Sequence, residues 1–364
     1  MSKQGKVLVA MSGGIDSTVT AMMMHDQGYE VIGITMKTWD YANSGGSKKE
    51  TGCCSLDSIN DARQVAVEMG FHHFIIDIRE EFGDFVIDNF VDEYMAGRTP
   101  NPCVLCNTHI KWHSLLKRAD ALDCEFIATG HYANINELNG RRYISKSKDS
   151  HKDQSYVLWG LSQDCLERSK FPLGGYTKPE VRQMAADWGY QELSKKAESF
   201  EICFVPDNDY RSFLKRRVDG LEERVAGGDF LNTQGEVIGT HKGYPFYTIG
   251  QRKGLGMAFG EPMYVTEIRP ESNAVVLGRE NELIRNGMTV GKLNLMKYDS
   301  LPEGYEALTK IRYKDRGAMS ELRLEEGGTA MRVDFLGHVK GVAPGQSAVF
   351  YEGDDVIGGG IIHR

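Results

Sequence analysis

The sequence of 364 residues contains no run that approaches the roughly 20 consecutive apolar residues of a membrane-spanning helix, so we do not expect an integral membrane protein. Internal repeats, low-complexity tracts and long linkers are also missing. Hydrophobic residues make up 41% and charged residues 26%, values that are typical of a soluble globular protein and exclude a disordered chain. At this length we expect two or three domains, each with its own core.

The sequence also has no excess of positive charge and no leader-like start. Its 43 Lys and Arg against 51 Asp and Glu give a formal charge of −8, which argues against non-specific coating of nucleic acid but allows local basic surfaces. The short basic N-terminus passes directly into a strand-like segment, without an apolar stretch and a small-residue cleavage site. We therefore expect a cytoplasmic protein without a membrane or DNA partner.

Cysteine is present in an odd number, seven residues at irregular spacing. In a chain without a secretion signal this pattern is more typical of reduced thiols than of a disulfide framework. Cys53 and Cys54 lie in a polar, glycine-containing segment, and Cys124 and Cys165 lie in apolar surroundings. We assign no role to these four residues.

The first 200 residues alternate between strand-like and helix-like patterns. Strands are predicted at 6–11, 29–36, 71–78 and 124–132, and helices at 16–27, 57–70, 80–96 and 107–122. This βαβ series predicts an α/β domain with a doubly wound parallel sheet. Two further helices are predicted at 153–167 and 179–188, the second after Thr177-Lys178-Pro179-Glu180, which combines a capping-box spacing with an early proline.

After about residue 205 the pattern changes to short alternating segments that are separated by glycine turns. This predicts a small mixed central domain and then a C-terminal antiparallel β-barrel, with a sandwich as the alternative. The predicted domains are 1–204, 205–281 and 282–364.

A glycine-serine loop, Ser12-Gly13-Gly14-Ile15-Asp16-Ser17, joins the first predicted strand to the first helix. The two glycines allow a tight turn that presents N–H groups, and the helix N-terminus adds partial positive charge, so an anion such as pyrophosphate is favoured there. An ordinary turn is the alternative, but this position is where α/β folds bind nucleotides. The chain has no Walker A sequence, which excludes a P-loop kinase or GTPase.

Two other cysteines lie in more suggestive surroundings. Cys106 opens a predicted helical stretch, where the helix dipole stabilises a thiolate and where His109 and Lys111 add positive potential. Cys203 lies on what we predict to be the last extended segment of the domain 1–204, and on its sequence alone it is more typical of a small buried hydrophobe.

The Cys103-x-x-Cys106 pair, with His109 and His113, also has ligand types that suit zinc. Structural zinc sites commonly place two ligand pairs well apart in the sequence, whereas these four residues lie close together. A dithiol redox pair is a second alternative, although a thioredoxin-like context is missing. We therefore predict no metal site.

Two basic segments could contact RNA. Residues 141–152 hold five Lys or Arg against one Asp. On a strand, the alternating residues Lys310, Arg312, Lys314 and Arg316 would project from one face as a phosphate-contacting stripe. A solvated strand edge is the alternative.

The loop resembles the SGGxDS pyrophosphate loop of the ATP pyrophosphatases, and five further motifs select one family among them. These motifs are NPCVLCN (101–107), TGHY (129–132), KDQSY (152–156), FPLGG (171–175) and ICF (202–204). Together they resemble the tRNA-specific 2-thiouridylases, which convert the 2-oxygen of the wobble uridine of certain tRNAs to sulfur. The resemblance implies an adenine nucleotide alpha-hydrolase-like fold, ATP with Mg²⁺, a tRNA substrate and a persulfide sulfur donor protein or relay.

The resemblance also implies site residues. The residues implied to bind ATP are Ala10, Met11, Ser12, Gly13, Gly14, Ile15, Asp16, Ser17, Met36 and Gly130. The residues implied to bind tRNA are Asn101, Pro102, Cys103, His131, Lys152, Asp153, Gln154, Arg312, Tyr313 and Gln346. Cys203 would carry the persulfide and Cys106 would be the second thiol, so that the cycle ends in a Cys106–Cys203 disulfide. Cys103 departs from the family pattern, in which this position is more usually aspartate.

The expected reaction is ATP-dependent 2-thiolation of uridine 34 of tRNA, with Asp16 as the one candidate ligand of Mg²⁺. Two alternatives remain at this point. An ATP pyrophosphatase amide synthetase, acting on a small carboxylate with ammonia, would need neither Cys106 nor Cys203. A non-catalytic, zinc-containing RNA-binding module would not need the glycine-serine loop.

Overall fold

The computed structural model describes residues 4–39, 55–195, 202–205, 208–325 and 327–363, so Cys53 and Cys54 lie outside the described residues. The chain divides into two compact units. Unit 1 comprises Met1–Val86, Cys103–Asn208 and Asp354–Val356, and unit 2 comprises Ile87–Pro102, Asp209–Gly353 and Ile357–Arg364. The predicted boundaries near residues 205 and 282 stay a prediction.

Unit 1 contains a parallel sheet in the strand order β3-β2-β1-β4-β7. The strands are β1 (Lys6–Ala10), β2 (Glu30–Lys37), β3 (His72–Asp77), β4 (Phe126–Ala128) and β7 (Ser169–Lys170). Because β1 pairs with β2 on one side and with β4 on the other, the strand order reverses at β1. Such a switch point leaves a crevice outside the carboxyl ends of the strands, which is where ligands bind in α/β folds. The predicted doubly wound sheet is confirmed.

A β-hairpin of unit 1 was not predicted from the sequence. Its strands are β5 (Ala133–Leu138) and β6 (Arg141–Lys146). Asn139 and Gly140 both have positive φ in the turn, as type I′ hairpins require. Half of the basic segment 141–152 therefore lies on a strand.

Three of the six predicted helices agree with the structure and three differ from it. Helices α1 (Ile15–Asp26) and α2 (Leu56–Met69) confirm the predictions at 16–27 and 57–70. The predicted helix 80–96 is divided into α3 (Arg79–Phe82), a π-helical turn (Gly83–Ile87) and α4 (Asp88–Met95), which belongs to unit 2. A π-helical turn inserts an extra residue and shifts the apolar face, so a single helical period does not describe the segment.

The predicted helix 107–122 starts earlier than expected, and a π-helical turn interrupts it. It comprises α5 (Pro102–Leu105), the π-helical turn Cys106–Lys111 and α6 (Trp112–Ala121). Pro102 suits a helix start because proline has no N–H to satisfy in the first turn.

The predicted helix 153–167 is wrong. The segment forms a 3₁₀ turn (Ser155–Leu158) and the short helix α7 (Gln163–Arg168). The Asp153 carboxylate accepts hydrogen bonds from the backbone N–H groups of Ser147 and Ser155, which favours a turn over a helix. In contrast, α8 (Lys178–Asp187) confirms the prediction at 179–188, including the capping box between Thr177 and Glu180, and α9 (Gln191–Lys195) follows it.

Unit 2 begins with helices that pack on one another. Helix α4 contacts α10 (Tyr210–Arg217) through the rings of Phe90 and Phe213, with centroids 5.8 Å apart, and α11 (Leu221–Val225) follows. A small mixed sheet has the order β10-β11-β8-β9. Its strands are β8 (Gly228–Leu231), β9 (Val237–His241), β10 (Tyr264–Arg269) and β11 (Ala274–Gly278).

The rest of unit 2 confirms the predicted antiparallel barrel. Its strands are β12 (Ile284–Leu295), β13 (Tyr305–Lys310), β14 (Ala318–Leu324), β15 (Ala330–Lys340), β16 (Ser347–Glu352) and β17 (Asp355–Ile362). Pairing of β12 with both β15 and β17 closes the sheet around a core that includes Val290, Val333 and Phe350. Within the described residues, no helix has the length and apolar composition needed to cross a membrane.

Candidate active site

The glycine-serine loop lies at the carboxyl end of β1, and α1 begins directly after it. Gly13 has φ of +69°, and a Cβ atom there would lie 1.9 Å from the carbonyl oxygen of Ser58, so no other residue fits. The hydroxyl of Ser17 accepts a hydrogen bond from the N–H of Ser12 and donates one to the carbonyl of Gly14, each over 3.0 Å. The loop is therefore held in shape by its own hydrogen bonds.

Gly130 and Met36 come to the same edge of the sheet as the loop. Gly130 follows β4, and a Cβ atom on it would lie 2.9 Å from the carbonyl carbon of Asp16 and 3.0 Å from the nitrogen of Ser17. Position 130 thus requires glycine because the backbone there passes close to the loop, whereas the sequence suggested that a ligand comes close to this glycine. Met36 is half-buried near the end of β2, which pairs with β1 opposite β4.

Asp16, in the first turn of α1, interacts with two side chains that the sequence did not place there. The Nζ atom of Lys178 lies 2.7 and 2.8 Å from its two carboxylate oxygens, and the hydroxyl of Tyr132 donates to Oδ1 over 2.7 Å. The carboxylate that sequence analysis named as a candidate Mg²⁺ ligand is thus part of an ion pair.

The environment of Cys106 differs from the sequence-based expectation. Cys106 is buried in the second turn of a helix that starts at Pro102, so the unsatisfied N–H groups of the helix N-terminus belong to earlier residues. The expectation that the helix N-terminus stabilises its thiolate is therefore wrong. Cys103 lies in that first turn and is exposed. Because one thiol of the pair is buried and the other is exposed, the two face different surroundings.

Cys203 lies in a turn, and the predicted extended segment is wrong. The N–H of Val205 donates to the carbonyl of Ile202 over 2.9 Å, which closes the turn around Cys203. The neighbouring Phe204 is fully buried, with its ring centroid 5.8 Å from that of Phe82. This anchor holds the turn while Cys203 itself is half-buried, and Cys203, like Cys106, is present as a thiol.

The two remaining cysteines that the structure describes, Cys124 and Cys165, differ in their surroundings from Cys106 and Cys203. Cys124 is buried, and burial raises the pKa of its thiol to about 11, so it is not a nucleophile at neutral pH. Cys165 is half-buried on α7.

His131 lies just beyond β4 among aromatic rings. Its Nδ1 atom is 2.7 Å from the Thr129 hydroxyl, and its ring centroid is 5.5 Å from that of Trp112 and 5.8 Å from that of Phe171. Burial lowers the pKa of His131 to about 3, and the positive charge of Lys111 adds to this effect. The imidazole is therefore neutral at physiological pH and offers hydrogen bonds rather than charge.

The Lys152-Asp153-Gln154 segment is joined to the residue after His131. The N–H of Tyr132 donates to the side-chain oxygen of Gln154, and the N–H of Gln154 donates to the carbonyl of Tyr132, each over 2.9 Å. Lys152 is half-buried next to these contacts. Since Tyr132 also contacts Asp16, this segment is linked to the glycine-serine loop through one side chain.

In unit 2, Gln346 holds the segment that leads into Asn101 and Pro102. Its side-chain amide donates to the carbonyls of Thr99 and Pro100 over 3.1 and 2.9 Å. Asn101 is half-buried and Pro102 is buried. Gln346 thus contacts the backbone of the protein, whereas the family resemblance implied that it contacts tRNA.

The prediction that the basic residues at 310–316 project from one face of a strand is wrong. Strand β13 ends at Lys310, and residues 311–317 form a turn. The carboxylate of Asp315 accepts from the N–H of Ile311 over 3.1 Å, and Gly317 has φ of +85°, so the strand cannot continue. The turn nevertheless exposes three cations and one ring: Arg312, Tyr313, Lys314 and Arg316.

Three family models match consecutive parts of the chain. They are described as a tRNA methyl transferase HUP domain (residues 5–207), a tRNA methyl transferase PRC-barrel domain (211–279) and an aminomethyltransferase beta-barrel domain (285–362). Full-length relatives carry a more specific name, tRNA-specific 2-thiouridylase MnmA. The protein from Amoebophilus asiaticus is 64% identical over 99% of this chain and 96% of its own length. The protein from Cytophaga hutchinsonii is 65% identical over 100% of this chain and 98% of its own length.

This chain belongs to the tRNA-specific 2-thiouridylase family. A third relative, from Salinibacter ruber, is 57% identical over 100% of this chain and 96% of its own length. The family that the sequence motifs indicated is therefore confirmed. Neither the amide synthetase nor the zinc-containing RNA-binding module is favoured by these matches.

Within this 2-thiouridylase, Lys178 and Tyr132 are neighbours of the loop that were not predicted from the sequence. Tyr132 belongs to the TGHY motif, and Lys178 belongs to the capping-box segment, so both lay in segments already marked. Neither motif indicates a contact with Asp16, from which Lys178 is separated by 162 residues.

The low pKa of His131 predicts a pH dependence of stability. The unfolded imidazole binds a proton near pH 6.5 and the folded one near 3, so the stability contributed by His131 is complete above pH 6.5 and is lost as the pH falls toward 3. We expect His131→Gln to reduce the loss of unfolding free energy below pH 6.5 by up to about 1.4 kcal/mol per pH unit. Urea unfolding at pH 7.5, 6 and 5 measures this difference. The control is His25→Gln, at an exposed position on α1, and parallel pH curves for His131→Gln and wild type would contradict the expectation.

Proposed function

We propose that this protein forms 2-thiouridine at the wobble position of tRNA, using ATP to activate the base and a cysteine persulfide to supply the sulfur. The observation that carries the proposal is the presence of Cys106 and Cys203 in the same compact unit as the glycine-serine loop, in a chain of the 2-thiouridylase family. An amide synthetase would need the loop but neither thiol.

The first step is activation of the base. The uracil 2-oxygen attacks the α-phosphate of ATP, pyrophosphate leaves, and the 2-oxygen becomes part of an AMP leaving group. The backbone N–H groups at the start of α1 face the phosphates, and the helix dipole favours their charge. Mg²⁺ accompanies ATP and offsets the charge of the phosphates. The base must leave the anticodon stack to reach this site.

The second step is sulfur transfer. A donor protein loads sulfur on Cys203, whose half-buried position in an anchored turn leaves the thiol accessible. The Cys106 thiolate attacks the inner sulfur of the persulfide, hydrosulfide is released, and it displaces AMP from C2 of the base. A Cys106–Cys203 disulfide remains, and an external dithiol reduces it with two electrons. The burial of Cys106 keeps competing thiols away from it.

Each unit has residues that we assign to tRNA binding. In unit 1, the neutral imidazole of His131 and Lys152 contact the tRNA, and in unit 2 the exposed turn 311–317 contacts its phosphates. Gln346 supports the segment 99–102, which precedes the exposed Cys103, as a positioning residue. Such an enzyme works in the cytoplasm, where its tRNA substrate is found.

The test is a complete reaction with purified protein, ATP, a persulfide donor and unmodified tRNA, followed by mass spectrometry of the nucleosides. We expect 2-thiouridine at the wobble position, and none when ATP or the donor is omitted. Release of AMP with ammonia and a small carboxylate, without tRNA, would support the amide synthetase instead.

The exposed turn of unit 2 gives a prediction about salt dependence. Replacing Arg312 and Lys314 together by alanine should weaken tRNA binding and lower the slope of log affinity against log salt by about one to two units, because each lost phosphate contact removes roughly one released counterion. The control is the double replacement of Arg323 and Arg332, which are exposed on the same barrel but are already paired with acidic side chains. An unchanged slope in the first variant would exclude the turn from the tRNA interface.

A further inference from the structure

Lys178 is a buried lysine in contact with the glycine-serine loop. It is the first residue of α8, only 6% of its surface is exposed, and its ammonium group donates to both carboxylate oxygens of Asp16. Lysine is rarely buried to this extent unless its charge is balanced. The burial and the short contacts together hold the Nζ atom of Lys178 at the first turn of α1.

The backbone around Lys178 is fixed by residues from another segment. The N–H of Lys178 donates to the carboxylate of Asp149 over 2.8 Å. Glu180 closes the capping box with Thr177 and also accepts from the ammonium group of Lys148 over 2.7 Å. The start of α8 is therefore tied to the segment that follows β6.

Helix α8 is also packed firmly on α1. Val181 and Ala185 share a buried cluster with Ile15 and Val19, and all four side chains are nearly inaccessible to solvent. Lys178 therefore reaches Asp16 from a rigid support, and its position relative to the loop does not depend on a flexible segment.

Stability alone does not account for this ion pair. A buried ion pair contributes little net stability, because the cost of removing both charges from water offsets their attraction. The loop, however, has to accept a triphosphate beside the carboxylate of Asp16, and a cation that lies near both reduces the repulsion between these negative charges. Lysine is a common phosphate-binding residue, and its ammonium group can turn from one acceptor to another.

We propose that Lys178 is an ATP-binding residue of this enzyme, which moves its ammonium group from Asp16 to the β- and γ-phosphates when the nucleotide binds. This inference rests on the proposed function, because it assigns a further residue to the same ATP site. In the absence of nucleotide the ion pair with Asp16 keeps the buried cation balanced, and in its presence the phosphates take over that role.

The test compares Lys178→Met with wild type by calorimetric titration of an ATP analogue that has a methylene group between the α- and β-phosphates, and of AMP. Loss of a charge-assisted contact should weaken binding of the analogue about 30-fold, while binding of AMP, which lacks the β- and γ-phosphates, changes less than about threefold. Lys148→Met is the matched control, because it removes a cation at the start of the same helix that pairs with Glu180 rather than with Asp16. It should bind the analogue within about threefold of wild type.

A second comparison, in an Asp16→Asn background, separates phosphate binding from simple charge balance. If Lys178 binds phosphate, Lys178→Met should weaken binding of the analogue in this background as well. If Lys178 only neutralises Asp16, the replacement should have no effect there, which would overturn the proposal. In the Asp16→Asn background, Lys178→Met leaves no unpaired carboxylate at position 16. The double variant can therefore be measured even if Lys178→Met alone unfolds.

Binding of the analogue by the wild-type protein separates a failure of the proposed function from a failure of the role of Lys178. Failure of the wild-type protein to bind the analogue would contradict the proposed function. Binding by wild type and equal binding by Lys178→Met would contradict only the role of Lys178.

Discussion

Replacing Cys203 by serine is expected to abolish sulfur loading and tRNA thiolation together, whereas Cys106→Ser should still load sulfur but fail to deliver it. Removal of a residue that forms the covalent intermediate typically costs about 10³-fold or more in rate. Labelled sulfur on the protein measures loading, and nucleoside mass spectrometry of the tRNA measures delivery. Both variants should bind ATP as wild type does, because neither thiol belongs to the glycine-serine loop.

The controls for the two thiols are other cysteines of unit 1. Cys165→Ser, at a half-buried position on α7, should leave both loading and delivery unchanged. Cys103→Asp should retain thiolation, because we assign the resolving thiol to Cys106 and the thiol of Cys103 is then not needed. Near-complete loss in Cys103→Asp would show that Cys103 and Cys106 act as a pair, and would contradict the assignment of Cys203.

Replacing Gly13 by alanine is expected to lower the rate of AMP formation about 100-fold while tRNA affinity changes only a few-fold. The added Cβ atom would lie 1.9 Å from the backbone carbonyl oxygen of Ser58, and the left-handed φ of +69° adds strain of about 1 to 2 kcal/mol. The loop must therefore move, and a displacement of about 1 Å from a reactive geometry can cost 10²-fold in rate. Pyrophosphate release measures this step.

The control for Gly13→Ala is Gly175→Ala in the same unit. Gly175 is exposed, and a Cβ atom on it would have no neighbour within 4 Å, so this variant should keep the wild-type rate. Undiminished AMP formation in Gly13→Ala would remove the loop from the mechanism.

Several expectations failed where a side chain competes with the regular backbone. A helix was predicted at 153–167, but the Asp153 carboxylate accepts hydrogen bonds from backbone N–H groups and favours a turn at the start of this segment. The alternation at 310–316 predicted a strand, but Asp315 and Gly317 form a turn. Periodicity describes which side chains alternate and does not record such local hydrogen bonds.

Features that depend on residues close together along the chain could be predicted from the sequence. The doubly wound sheet, helices α1, α2 and α8, the capping box at Thr177 and the position of the glycine-serine loop follow from local apolar periods, caps and glycine turns. The motifs at 101–107, 129–132, 152–156 and 202–204 likewise indicated the family that full-length relatives confirm.

Contacts between distant segments, and the environment of each motif, could not be predicted in this way because they depend on the folded chain. The tertiary structure brought Lys178 to Asp16 across 162 residues and Gln346 to Thr99 across 247 residues. It also buried Cys106, exposed Cys103 and lowered the pKa of His131. Burial and charge pairing arise from packing between distant segments, and the free energy of a charged or reactive group depends on that packing rather than on its neighbours along the chain.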